Sequence, residues 1–253
     1  MKGQIIVFIF LLGFLNPLCS QEFHHGNLNF WFLNINRIQI SEKWSFTNEI
    51  HERTGNKFSQ QGQFLLRPSI DFHLNKSIEI SLGYSFIHVW PYAPYSLPIE
   101  KTENNLWEQL LFKMEAGKWK IQNRIRQENR WYDHLSNING EFVKTGIDYG
   151  NRFRYRFIAM RDLMKLESKG AIFINIWNEL WIFQDKHLLP IDFARNWLYF
   201  GLGLRFNDHT NIQMGYLNQI DKVSSASFIQ SDIIQLTFQH NFRVLKPKEV
   251  SLK

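Results

Sequence analysis

The chain has 253 residues, with 29 Lys and Arg against 23 Asp and Glu, a formal net charge of +6, and 16% aromatic residues led by 23 Phe. These values exclude a disordered chain, a collagen-like repeat and a disulfide-stapled mini-protein, since there is a single Cys. A mean hydropathy of -0.30 excludes a bundle of several membrane helices. It leaves a membrane barrel open, because transmembrane strands alternate apolar and polar residues and average out.

The first element is an address. Lys2 precedes the apolar run Ile5–Leu15, which is too short to span a bilayer as a helix, and Pro17 and Ser20 follow. A basic start, a short apolar stretch and a small-residue exit form a secretory signal peptide over residues 1–20, with cleavage expected after Ser20. Cys19 raises lipid attachment as an alternative, but Asn16-Pro17-Leu18 is a poor context, and Cys19 is expected to leave with the leader. Residues 21–253 then form one domain without cysteine, which excludes a thiol nucleophile or a thiolate metal site.

From residue 28 onward the dominant period is two. Residues 28–40 form the first stretch. In the second, Trp44, Phe46, Asn48 and Ile50 share one face, and Ser45, Thr47, Glu49, His51 and Arg53 the other. Residues 63–74 set Phe64, Leu66, Pro68, Ile70 and Phe72 against Arg67, Ser69, Asp71 and His73. Residues 77–90 set Ile78, Ile80, Leu82, Tyr84 and Phe86 against Glu79, Ser81 and Ser85. The pattern returns around 117–131, 149–160, 170–182, 195–206, 210–219 and 231–242. Stretches this long approach what a tilted strand needs to cross a bilayer.

Short polar turns at 41–43, 75–77, 117–118 and 207–209 alternate with longer loops near 54–61, 91–102, 132–147, 184–194 and 221–227. That asymmetry predicts an all-β fold. The expected form is a single antiparallel transmembrane β-barrel with short periplasmic turns and longer extracellular loops. The alternating stretches number ten, and the count over the chain is taken as eleven; single-chain bacterial barrels have even strand numbers, so twelve strands (within 10–12) are expected. The twelfth would come from Gln21–Asn27 or from 132–147. Pro68, which lacks a ladder N–H, predicts a bulge. Trp31, Trp44, Tyr84, Trp90, Trp119, Tyr149 and Tyr216 fall near strand ends, as membrane girdles require.

If the apolar faces meet lipid, the other face fills the lumen. The phase places Lys118, Lys120, Arg124, Arg126, Glu128 and Arg130 there from one strand and Arg152, Arg154 and Arg156 from the next. Glu49, Arg53, Arg67, Asp71, His73, Glu103, Glu179 and Arg205 are added by others. Arg–carboxylate pairing would satisfy these charges as a rigid plug. The excess of Arg would alternatively make a narrow, porin-like path for small anionic solutes. A nucleic-acid reading fails, because every second residue in the Arg runs belongs to an aromatic face.

No G-x-S-x-G, H-E-x-x-H, P-loop or G-x-G-x-x-G motif occurs, so no catalytic residue, metal ligand or cofactor is assigned. His51, His73, His134 and the serines leave a membrane-embedded lipid or lipopolysaccharide hydrolase as an alternative. A surface-interaction role through loops such as Trp90–Tyr95 is another. Expected partners are outer-membrane lipids and the barrel-insertion machinery. The latter would read the last strand, where Leu236, Phe238 and Phe242 share a face ahead of a polar tail at 243–253.

Several pieces, in order, carry a resemblance. They are Leu65, Arg67 and Pro68 in one strand; Gly83-Tyr84 followed by Pro91-Tyr92; Glu103 leading to Trp107 and Gln109; and Arg124 through Arg130. Arg152 through Arg156, Asn178-Glu179-Leu180, Tyr199 with Gly201 and Gly203, and Gly215 through Gln219 follow. With these the chain resembles the domain of unknown function 2490 family, bacterial outer-membrane barrels. Trp197 departs from the pattern, which leads one to expect Arg after Asn196. The resemblance implies a barrel in the outer membrane of a Gram-negative bacterium and brings no activity, substrate or catalytic residue with it.

Overall fold

The computed structural model describes residues 22–92, 96, 98–166, 170–185, 187–188, 190–225 and 227–244. The expected leader, Cys19, loop residues 93–95 and most of the polar tail lie outside this set. The elements are β1 (Glu22–Gln39), β2 (Trp44–Gly55), β3 (Gln60–His73), β4 (Ile78–Val89), β5 (Lys101–Ala116) and β6 (Trp119–Ile138). They continue as β7 (Glu141–Lys165), β8 (Ala171–Gln184), β9 (Ile191–Arg205), β10 (Thr210–Lys222) and β11 (Ser227–Arg243). Sequence neighbours pair antiparallel all the way round, and β1 closes the barrel against β11 in parallel.

The barrel therefore has eleven strands, not the twelve expected. Neither proposed source adds a strand. Glu22–Asn27 is the beginning of β1 itself, offset from β11 by an irregularity between His25 and Leu28. Residues 132–147 are not a loop but the paired ends of β6 and β7, joined by a tight Asn139-Gly140 turn. Positive φ values of 54° and 91° make that turn natural for Asn-Gly. An odd count closes because one parallel pair needs no further strand. It also puts the two ends of the barrel chain, Glu22 and Arg243, at opposite mouths.

Side-chain oxygens set the tight turns. Asn75 Oδ1 accepts from the N–H groups of Ser77 and Ile78, at 2.8 and 2.9 Å, and Asn207 Oδ1 does the same for His209 and Thr210. Pro68 causes no bulge. The β3–β4 register is the same on both sides of it, Leu66 opposite Phe86 and Ser69 opposite Gly83. Where the ladder is interrupted, Arg67 Nε donates to Ser85 Oγ at 3.0 Å and bridges the two strands by side chains.

The alternation sorts side chains to two sides as expected. On β4, Ile80, Leu82 and Tyr84 are exposed while Glu79, Ser81 and Ser85 are buried; on β9, Leu198, Phe200 and Leu202 are exposed while Trp197 and Tyr199 are buried. Trp44, Tyr84, Tyr149 and Tyr216 keep exposed outward positions, but Trp31 does not. It shares the phase of buried Asn29, points inward, and joins an interior cluster with Trp177, Trp181, Trp197, Tyr199, Leu217 and Ile233.

Inward glycines make room for large interior rings. A Cβ on Gly83 would lie 2.2 Å from the Trp107 ring, and one on Gly201 would lie 2.2 Å from the Tyr199 hydroxyl. Each large ring lies across a strand that has no side chain at that point.

Candidate site: an arginine–carboxylate ladder and the cavity above it

The interior is divided. Strands β1 and β8–β11 contribute most of the apolar, Trp-rich wall, and most of the charge comes from β2–β7, with Glu179 added by β8 and Arg37 by β1. Three buried or half-buried carboxylates form a continuous ladder. Glu179 on β8 accepts from Arg154 Nε at 2.8 Å, from Arg124 at 2.5 Å and from Arg156. Glu128 accepts from Arg154 Nη1 at 2.7 Å and from Arg152 Nε at 2.5 Å. Glu103 accepts from Arg130 at 2.8 and 2.6 Å and from Arg152 at 3.2 Å. Arg154 and Arg152 each bridge two carboxylates, so the three acids are linked without a break. Planar guanidinium forks suit this shared pairing better than ammonium groups would.

Two further buried arginines meet no carboxylate at hydrogen-bond distance among the described residues. Arg126 donates to Gln109 Oε1 at 3.0 and 2.7 Å, with Glu128 no nearer than 3.9 Å. Arg53 donates to Gln63 Oε1 at 2.8 Å. Tryptophan faces take the place of acids. Arg126 lies 3.8 Å from the Trp107 ring centroid, Arg53 3.8 Å from Trp31 and 5.5 Å from Trp197, and Arg154 3.8 Å from Trp181. A desolvated cation over an indole gains roughly 2 kcal/mol, which helps account for buried guanidiniums beyond the number of acids.

Of the residues singled out from sequence, Arg124, Arg126, Glu128, Arg130, Arg152, Arg154, Arg156 and Glu179 come together in this ladder. Arg67 is near it, paired with Glu49 at 3.1 Å. Asp71 belongs to a second cluster toward the short-turn mouth. There Arg37 donates to Glu79 at 2.8 and 3.1 Å and lies 3.4 Å from Asp71, and Lys113 donates to Glu79 at 2.7 Å. Arg205 is apart from both, half-buried and paired with Asp162 at 2.9 Å. Lys118 and Lys120 are exposed beside the 117–118 turn and do not line the interior. The reason is position: the phase is right for Lys120, but it stands at the start of β6, still paired with β5 and β7, at the short-turn rim where its side chain is exposed.

Sequence reading missed the inward tryptophans, although Trp177 and Trp181 sit two residues either side of Glu179 and so share its face. Trp197, where the family pattern leads one to expect Arg, donates from Nε1 to Gln219 at 2.8 Å and packs against Trp181 at 4.5 Å between centroids.

At mid-height the centre of the ladder is buried. Glu128 and Glu179 are 0% exposed, Arg126 1% and Arg154 2%. The second cluster contains a serine–histidine–carboxylate line, with Ser45 Oγ 3.0 Å from His73 Nε2 and His73 Nδ1 3.3 Å from Glu79. Ser45 is fully buried and also donates to Asp71, and Glu79 is already held by Arg37 and Lys113, so the line is packed structure without access for a substrate. Among the described residues no three His, Cys, Asp or Glu side chains converge on a metal-sized site.

Above the ladder, at the long-loop mouth, a cavity of about 620 Å³ rests on the Glu103–Arg130 pair. A smaller one of about 240 Å³ lies beside it under Tyr92, and Lys101 and Val89 line both.

The chain is 24% identical over 191 residues to an uncharacterised protein of Methylorubrum extorquens, covering 74% of this chain and 76% of that one. No solved structure matches it. The family model described as protein of unknown function (DUF2490) matches residues 28–230, a stretch that begins within β1 and ends within β11. The chain belongs to that family.

Proposed function

We propose that this protein is a barrel of the Gram-negative outer membrane whose Arg-rich interior is a closed, ion-paired plug. The barrel is then a rigid scaffold for what its outer mouth presents. The observation that carries this reading is the complete burial of Glu128 and Glu179 at the centre of a ladder spanning β5–β8. A path for ions would leave these carboxylates wet. Membrane placement is supported by the apolar outward faces of strands 12–25 residues long and by outward Trp44, Tyr84, Tyr149 and Tyr216. Export on a leader ending at Ser20, recognition of the β11 face ending at Phe242 by the insertion machinery, and contact with outer-membrane lipids complete the reading.

The competing reading is a narrow path for small anionic solutes, favoured by Arg53 and Arg126, which have no carboxylate at hydrogen-bond distance among the described residues. Planar-bilayer recording separates the two. Protein shown to be folded by heat-modifiable gel migration should give no stepwise conductance. Reproducible anion-selective steps would establish the path and end the plug.

A further inference from the structure

The mouth above the ladder has the construction of a binding site. Its larger cavity, about 620 Å³, falls in the range of ligand pockets, roughly 300–1,000 Å³. The floor is closed by the bidentate Glu103–Arg130 pair.

The lining groups have unequal unused capacity. The five lining carboxylates are engaged: Glu103 by Arg130 and Arg152, Asp133 by the Thr102 N–H and hydroxyl and by Lys144, Asp192 by Lys222 and Asp221 by Arg195, and Asp185 is not free either. Lys101 is different. It follows the inward phase of Glu103 and stands where the two cavities meet, and among the described residues its ammonium has no carboxylate within ion-pairing distance. The free charge offered to a ligand is therefore positive.

In the smaller cavity the unused group is an acceptor. Asn29 is 4% exposed, and its Oδ1 has no donor among the described residues. Around it stand Gln63, Gln219, Ser231 and Tyr92. The Oδ1 atom itself is covered, beside Gly55; an unsatisfied buried carbonyl costs about 1–3 kcal/mol, and that cost is relieved when the amide turns toward a hydroxyl or N–H arriving in the cavity. On the larger side Tyr132 and Phe183 line the cavity, each with the Arg130 guanidinium over its ring, 4.8 and 5.4 Å from the centroids.

We infer that the two cavities form one site for a polyhydroxylated ligand with an anionic group, an acidic sugar. Its carboxylate or phosphate pairs with Lys101, a hydroxyl donates to Asn29, and a ring face rests against Tyr132 and Phe183. The inference rests on the closed interior only in that the ligand enters and leaves by the same mouth. Such chemistry is available from a free acidic oligosaccharide or from the headgroup of an outer-leaflet glycolipid.

Calorimetric titration of the detergent-folded barrel tests this with three probes: trigalacturonate, neutral maltotriose, and deep-rough lipopolysaccharide in mixed micelles. Saturable binding of trigalacturonate, at least tenfold tighter than maltotriose, supports a soluble ligand. Binding of the lipopolysaccharide alone supports the headgroup. In either case Lys101→Gln should weaken binding at least tenfold while leaving heat-modifiable migration unchanged, because Lys101 has no ion-pair partner to strand. Binding of neither acidic probe, a preference for maltotriose, or unchanged affinity in Lys101→Gln would overturn the inference. None of those results would alter the conductance experiment, so the two readings fail separately.

Discussion

Glu179 shows what one residue does in this interior. Its carboxylate serves Arg124, Arg154 and Arg156, and all four side chains are largely removed from solvent. Removing one partner of a buried pair leaves charge stranded, at a cost of about 3–5 kcal/mol. Glu179→Gln should therefore lower the urea midpoint of the folded barrel by a corresponding amount. Arg205→Gln, at a half-exposed pair with Asp162, should cost under about 1 kcal/mol. Equal losses in the two variants would mean the ladder is not specially buried. The Arg and Glu positions were legible from alternation alone, because a charged run at every second residue shares one face of its strand, opposite the apolar one. The tryptophans were not. An indole suits a membrane girdle and suits the face of a guanidinium, and only the positions of Arg53, Arg126 and Arg154 on other strands decide between them.

Between strands, the pairing of a missing side chain with a large one recurs. The Trp107 ring on β5 lies across Gly83 on β4, and its Nε1 donates to Ser85 at 2.9 Å. Gly83→Ala should destabilise the barrel by about 1–3 kcal/mol through overpacking, with the same urea titration as the measure. Gly146→Ala on β7, where an added Cβ would meet nothing nearer than 4.0 Å, should be far milder. A Gly83→Ala barrel as stable as the parent would contradict the ring-over-glycine packing. Strand existence and phase followed from the sequence because each strand carries its own period. Closure did not. Whether the chain ends in an even or odd barrel depends on how β1 meets β11, and the residues involved, Phe30 to Phe242, alternate equally well for a parallel or an antiparallel partner. The mouth site was equally hidden, since Asn29, Lys101 and Gln219 come from three strands far apart in sequence.

For the whole molecule, the parallel seam has a topological consequence. β1 and β11 both run from the long-loop mouth to the short-turn mouth, so the start of β1 and the end of β11 face opposite sides. With long loops outward, an epitope placed between Ser20 and Glu22 should be labelled on intact cells, and one following Lys253 only after permeabilisation. Labelling of both, or the reverse pattern, would contradict this orientation. The account as a whole depends on the interior being dry at mid-height, and thiol accessibility measures that directly. In a chain with Cys19 replaced by Ser, Ser81→Cys places a thiol on the inward face of β4, where Ser81 is 2% exposed, and Glu141→Cys places one at the exposed tip of the β6–β7 hairpin. In the folded barrel a charged methanethiosulfonate reagent should modify the hairpin thiol rapidly and leave the inward one untouched until the protein is unfolded. Comparable rates at the two positions would show that water and ions reach the ladder, and the closed plug would be wrong.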